Sequence, residues 1–214
     1  MRQLIYALVI LFIAGQGVYA ANKYPSDPNV LLQTKSCPVV KDPNELRDLL
    51  QSRWDAVITI LKKKELDEKV KEEQIYKIVS TLFDFPLMAK LTLGRNNWPR
   101  LNTAQQEEFV RLFTRRLKSS YLEKVKLYSD EKGLYKTIQQ KKDTVIFVPM
   151  QLATKDSEIT ILYKLRKADE YWKIYDVEIQ GVSILLTYRS QFDDILQRGT
   201  VKDLLSQLEK PPDD

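Results

Sequence analysis

From Pro43 to about residue 128, apolar side chains recur at spacings of three and four, the period of amphipathic helices. Asp42-Pro43 caps and starts the first helix, whose inward stripe is Leu46, Leu49, Leu50, Trp54, Val57, Ile58 and Leu61. A second is predicted over 67–83, with Val70, Ile75, Ile78, Val79 and Leu82 inward. A shorter helical piece starts near Pro86 and stops at Gly94. Asn102 or Thr103 caps a long helix, and Thr103 with Gln106 has the spacing of a capping box. Its stripe is Phe109, Leu112, Phe113, Leu117, Tyr121, Leu122 and Val125. Core packing accounts for stripes of this kind.

The period then drops to two. GLYKTIQQ, DTVIFVPMQLAT, SEITILYKLRKA and EYWKIYDVEI alternate and are rich in β-branched and aromatic residues. Lys141-Lys142-Asp143, Lys155-Asp156 and Ala168-Asp169-Glu170 are short polar connections, so an antiparallel meander of about four strands is expected. After Gly181 the helical pattern returns and runs to Gly199, expected as a C-cap. Thr200 caps a last helix, which Pro211-Pro212 end. Helices, then strands, then helices predict a single α+β domain over 43–210 with a short tail, 211–214. Its helices pack on one side of a curved antiparallel sheet.

The strands are more apolar than a half-exposed sheet requires. Ile146, Val148, Met150 and Leu152 share one face, yet Val145 and Phe147 sit opposite; Ile159, Ile161, Tyr163 and Leu165 share a face, with Leu162 opposite. In the last strand, simple alternation puts Tyr171, Tyr175, Val177 and Ile179 on one side and Trp172 and Ile174 on the other, followed by Asp176 and Glu178. Either helices cover both faces, or one face lines an apolar cavity of the kind that takes small apolar ligands.

The N-terminal pattern is different again. A short basic start, the apolar run LIYALVILFIAG and small residues before Ala20 have the layout of a secretory signal peptide, residues 1–20. Gly15, Gln16 and Gly17 interrupt the run short of the roughly 20 apolar residues that a spanning helix needs. Residues 21–42 hold three prolines and no periodicity, and read as an extended leader. A formal net charge of +5, spread along the chain, lacks the basic stripe of a nucleic-acid binder, so no nucleic-acid partner is expected.

Cys37 is the single cysteine, so no intrachain disulfide can form. Its thiol can pair between chains or stay inert. The chain has no histidine, which removes the commonest general base and metal ligand and the Ser-His nucleophile pairs. There is no phosphate-binding glycine loop and no nucleophile elbow. The carboxylate pairs Glu72-Glu73, Glu107-Glu108 and Asp193-Asp194 are adjacent on helices, where neighbours point about 100° apart and share no site. Asp176, mid-strand among aromatics, is a candidate base with a raised pKa, or a structural carboxylate bonded to a nearby amide or arginine. No cofactor, metal or enzymatic activity is expected.

Several stretches together resemble the MlaC, or toluene-tolerance auxiliary, family. They are Phe83-Asp84-Phe85 with Ala89; Leu93-Gly94-Arg95 with Trp98; Thr103 leading to Phe109; Trp172 with Tyr175-Asp176-Val177; Gly181-Val182-Ser183; and Tyr188-Arg189-Ser190-Gln191-Phe192. The resemblance runs over about residues 43–209. It implies a helix-covered, NTF2-like curved sheet that encloses an apolar cavity. It also implies a soluble periplasmic carrier that holds phospholipid by its acyl chains, with the head group near the surface. The implied partners are an inner-membrane ABC transporter complex with an MCE-domain subunit and an outer-membrane lipoprotein–porin complex. A branch associated with hopanoid loci leaves another lipid open. An NTF2-like enzyme using Asp176 with Tyr163 or Tyr175 is a second reading, by fold analogy alone, and an envelope protein with a dry core is a third.

Pattern and implied fold together nominate the lipid-lining side chains: Phe85, Met88, Leu91, Phe109, Phe113, Val148, Met150, Ile161, Tyr163, Tyr175, Val177, Val182 and Ile184. Tyr188 and Arg189 are candidates for the pocket mouth, where a guanidinium can meet phosphate; a salt bridge within the protein is the other use of Arg189. Lys90, Arg95 and Arg100 are candidates for docking acidic partners.

Overall fold

The computed structural model of the chain describes residues 24–33, 38, 40, 42, 45–125, 132–153 and 158–211. The expected signal peptide and Cys37 lie outside the described residues. Helices come first: α1 (Pro28–Gln33), α2 (Glu45–Leu61), α3 (Glu68–Ser80), α4 (Phe85–Asn97) and, after a 3-10 turn at Trp98–Arg100, α5 (Thr103–Val125). Six strands follow: β1 (Lys132–Tyr135), β2 (Gln139–Lys142), β3 (Val145–Ala153), β4 (Glu158–Ala168), β5 (Tyr171–Ile179) and β6 (Val182–Ser183). Helices α6 (Ile184–Arg198) and α7 (Val201–Glu209) close the fold. The sheet is antiparallel throughout, in the order β1-β3-β4-β5-β6, with β2 also on β3. The α+β class is as expected, with six strands in place of about four.

The extra strands have local causes. GLYKTIQQ is not one strand: β1 pairs with the C-terminal half of β3 and β2 with its N-terminal half. The split falls opposite Pro149, whose carbonyl accepts from the Lys136 amide but which has no N–H to return. At the other edge, Gln180 and Gly181 form a two-residue turn with φ of 49° and 78°, the paired positive values that tight hairpins favour. That turn sends Val182 and Ser183 back along β5 before α6 begins.

The mixed polarity of YWKIYDVEI is resolved by a β-bulge. Lys164 pairs with Asp176 but the next residue, Leu165, pairs with Ile174, leaving Tyr175 as the extra residue. The bulge shifts the alternation by one. Trp172 and Ile174 before it and Val177 and Ile179 after it therefore share the buried face with Ile161, Tyr163 and Leu165. The two-sided assignment from simple alternation is corrected accordingly. On the opposite face Phe147 is half-buried, with the ammonium groups of Lys141 and Lys164 5.2 and 5.8 Å from its ring centre.

Other boundaries shift for similar reasons. The second helix stops at Ser80 instead of continuing to Phe83. Residues 82–84 instead run beside β5: the Ile174 amide donates to the Leu82 carbonyl at 2.8 Å, and the Asp84 amide to the Ile174 carbonyl at 2.9 Å. Asp84 then caps α4, accepting from the Leu87 amide. Helix α5 is capped by a reciprocal Asn102–Gln105 pair, while Gln106 turns back to the Trp98 and Leu101 carbonyls, so the Thr103–Gln106 box is not formed. Gly199 is the C-cap of α6 as expected, though extended rather than left-handed; a Cβ there would lie 2.9 Å from Asp203 Oδ2, which Thr200 engages in the next capping box. The leader is not wholly extended either. Pro28–Gln33 is helical, and Tyr24, Leu31 and Val40 are buried in the core. Three scattered apolar anchors carry too little periodicity to announce this.

One apolar core joins the buried face of the sheet to the helices. It includes Ile146, Val148, Met150 and Leu152 of β3 and Leu49, Leu50, Trp54, Phe109, Phe113 and Phe192 of the helices.

Candidate functional site

The sequence nominated side chains between sheet and helices, and most meet there. Val148, Met150, Ile161, Tyr163 and Val177 occupy the buried face of β3, β4 and β5 with no exposed area. Val148 is paired across the ladder with Tyr163, Met150 with Ile161, and Tyr163 with Val177, so the five form a continuous patch. Met88, Phe109, Phe113 and Ile184 come from the helices and belong to the same buried cluster. Phe85, Tyr175 and Tyr188 are partly buried and pack against it. Leu91, Val182 and Arg189 are on the surface instead.

The helical side of the patch is aromatic. Phe109 and Phe113, one turn apart on α5, are near-parallel with centres 6.0 Å apart. Phe192 meets both edge-on, at 5.5 and 6.2 Å. Tyr188 stands edge-on to Phe113 at 5.3 Å, and Trp98 edge-on to Phe109 at 6.5 Å. Burial raises the Tyr188 phenol pKa above its ordinary value, against the opposing effects of its hydrogen bond with Ser120 and the nearby charge of Arg116. Phe192 was not nominated; its signal is the four-residue spacing from Tyr188 on one helix face. A second stack, of Tyr76, Phe83 and Phe85, joins α3 to the start of α4.

Asp176 is buried, and the bulge turns it to the face opposite Val177. Its Oδ2 accepts from Ser183 Oγ at 2.8 Å and Lys164 Nζ at 3.1 Å, and its Oδ1 from the Leu185 amide at 3.2 Å. Ser183 caps α6, with its Oγ accepting from the Leu186 amide. Lys164 also reaches Glu178 at 2.8 Å. Burial alone would lower the Lys164 pKa, but its bonds to Glu178 and Asp176 outweigh that and leave it raised. The arrangement ties β4, β5 and the first turn of α6 together through one carboxylate. This is the structural use of Asp176, with a lysine and an amide as partners.

Arg189 lies across the backbone of α4. Its guanidinium covers Gly94, where a Cβ would sit 2.8 Å from Cζ, and its Nε is 3.9 Å from Asp193 Oδ2. Gly94 has φ 63° and ψ −170°, a break within α4 rather than its end. Among the described residues no cluster of histidine, cysteine or carboxylate side chains is arranged to hold a metal ion, and no helix is long and apolar enough to cross a membrane.

The family model described as MlaC protein matches residues 51–210. A solved structure, the phospholipid-binding protein of Ralstonia solanacearum in complex with a phospholipid, superposes with a TM-score of 0.64. The two sequences are 23% identical, and the alignment covers 74% of this chain and 91% of that one. No curated protein matches the chain.

Proposed function

The chain belongs to the MlaC family, and from that premise we propose that it is a phospholipid carrier that holds acyl chains between its sheet and its helices. The observation that carries the proposal is the continuous apolar patch of Val148, Met150, Ile161, Tyr163 and Val177, in one buried cluster with the stacked rings of Phe109 and Phe113. The same fold in the Ralstonia protein accommodates a phospholipid, which supports this use of the interior. The lipid would part β3–β5 from α4, α5 and α6. Met88, Phe85, Tyr175 and Ile184 would line it, while Tyr188 and Arg189 flank its head group.

The energetics suit a carrier. Burying a methylene is worth about 0.8 kcal/mol, so two chains of roughly 30 methylenes resist exposure to water by on the order of 24 kcal/mol. An apolar interior offsets most of that cost without any reaction, and balance with a bilayer allows release. With Asp176 engaged by Ser183, Lys164 and the Leu185 amide, its oxygens serve the fold. The working setting in this reading is the periplasm. The carrier would pass lipid between an outer-membrane lipoprotein–porin complex and an inner-membrane ABC transporter complex with an MCE-domain subunit.

The test is direct. Protein purified from the native envelope is extracted with organic solvent and the extract is analysed by lipid mass spectrometry. Stoichiometric phospholipid is the expected result. An empty extract, together with no uptake from vesicles by the delipidated protein, would overturn the proposal; a stoichiometric lipid of another class would correct the cargo.

A further inference from the structure

Among the described residues the large exposed apolar side chains are Val30, Val70, Leu91, Leu134, Val182 and Leu186. Leu91 lies on α4, and Val182 and Leu186 on β6 and α6, elements that pack along one seam. Helices α4 and α6 run side by side in the same direction, because Arg189 covers Gly94 and Asn97 Nδ2 donates to Asp193 Oδ1 at 2.6 Å. Leu91 lies three residues before Gly94 on α4, and Leu186 three residues before Arg189 on α6. Val182 precedes Leu186 on the edge strand β6. Leu186 is 63% exposed, Val182 40% and Leu91 37%. Beside them the Gln180-Gly181 turn is exposed, with open space around Gly181.

Cations outnumber acids on α4 and α6. Lys90, Arg95 and Arg189 are exposed along it. Of the acids on these elements, Asp193 accepts from Asn97 and faces Arg189, and Asp194 lies one position further around α6; Glu178, across the ladder from Ser183, is held by Lys164. Exposed leucine and valine on the packed elements that carry Lys90 and Arg95, neither of them in an ion pair among the described residues, is the chemistry of a surface that rests in a bilayer interface. Apolar tips enter the acyl boundary while basic groups meet lipid phosphates.

We propose that the α4–β6–α6 seam is a docking surface for an anionic phospholipid bilayer. It goes beyond the carrier reading, because a carrier can exchange lipid wholly through protein partners. Charge complementarity selects the occupant: among the described residues neither Lys90 nor Arg95 is paired with an acid, and an anionic bilayer supplies one at every head group.

The experiment is vesicle flotation of the full mature protein. One set of vesicles is phosphatidylcholine alone; the other is equal parts phosphatidylglycerol and phosphatidylcholine. The protein should float with the anionic vesicles and not with the neutral ones, and added salt should weaken the association. Leu186→Ser and Lys90→Glu should each reduce the bound fraction by about tenfold. Leu134→Ser, an exposed leucine on β1, should leave it unchanged, and circular dichroism confirms that each variant is folded. Failure of the unaltered protein to float with anionic vesicles overturns the proposal. Binding unchanged by Leu186→Ser and Lys90→Glu does the same, as does a dimer abolished by Leu186→Ser, which would put a second copy on the seam. The lipid content of the purified protein reads the carrier function separately, so either proposal can fail without the other.

Discussion

Gly94 and Gly181 both hold positive φ, but they differ in what surrounds them. At Gly94, φ 63° with ψ −170° is a combination that only glycine adopts without strain. The neighbouring Arg189 guanidinium is the free end of a flexible side chain, so it can move from an added Cβ while the backbone cannot relax. Gly94→Ala should therefore cost about 1–3 kcal/mol, measured by urea unfolding, and adding Arg189→Ala should not restore it. At Gly181 nothing lies within 4 Å, so space is not the constraint; the backbone angle is. Gly181→Ala should cost about 1 kcal/mol, and Gly181→Asn less, because asparagine tolerates left-handed backbone. A loss of stability in Gly181→Asn equal to that in Gly94→Ala would contradict this account.

At the scale of elements, the junction of β5, β6 and α6 depends on Asp176. It receives a hydroxyl, an ammonium and a backbone amide from Ser183, Lys164 and Leu185. Asp176→Ala removes the acceptor from all three and leaves Lys164 with Glu178 alone. The expected loss is about 2–4 kcal/mol, from the Ser183 hydroxyl and the Leu185 amide left without their acceptor. Hydrogen exchange should show it first in the opening turn of α6, where the Leu185 amide loses its acceptor. Ser183→Ala, which removes only the helix cap and one bond, should cost about 1 kcal/mol. Equal losses for the two variants would mean that the carboxylate does no more than cap. The bulge at Tyr175 belongs to the same unit: it turns Asp176 away from the apolar face that takes Val177.

At the scale of the whole molecule, the resolved shifts of Lys164, Tyr175 and Tyr188 all point upward. Each group keeps its proton in the folded chain to a higher pH than in the unfolded one. Above their ordinary values of 10.5 for lysine and 10.0 for tyrosine, the unfolded state has therefore lost protons that the fold retains. Stability from these groups is fully present below about pH 10 and falls as pH rises through the folded pKa values. Thermal unfolding of the lipid-free protein between about pH 8 and 11 should show this decline. Tyr188→Phe should make it shallower, since burial no longer opposes ionisation there. An unchanged slope would show that Tyr188 ionises as freely folded as unfolded.

Periodicity along the chain was enough for the α+β order, most of the helical stripes and the side chains on β3 and β4 that form the apolar patch, because burial and period are local properties of helices and strands; Val70, expected inward, is exposed. Thr200 and the Asp169-Glu170 turn were legible for the same reason: caps and turns act within a few positions. The bulge at Tyr175, the β1–β2 split opposite Pro149 and the Leu82–Asp84 segment beside β5 were not, since each depends on which strand or loop lies alongside. The surface positions of Leu91 on α4 and Val182 on the edge strand β6 likewise follow from which neighbours those elements meet in the fold, not from their own hydrophobicity. Sequence determined which side chains need burial; tertiary structure decided which face of each element receives them, because one extra residue in a strand reverses its sides.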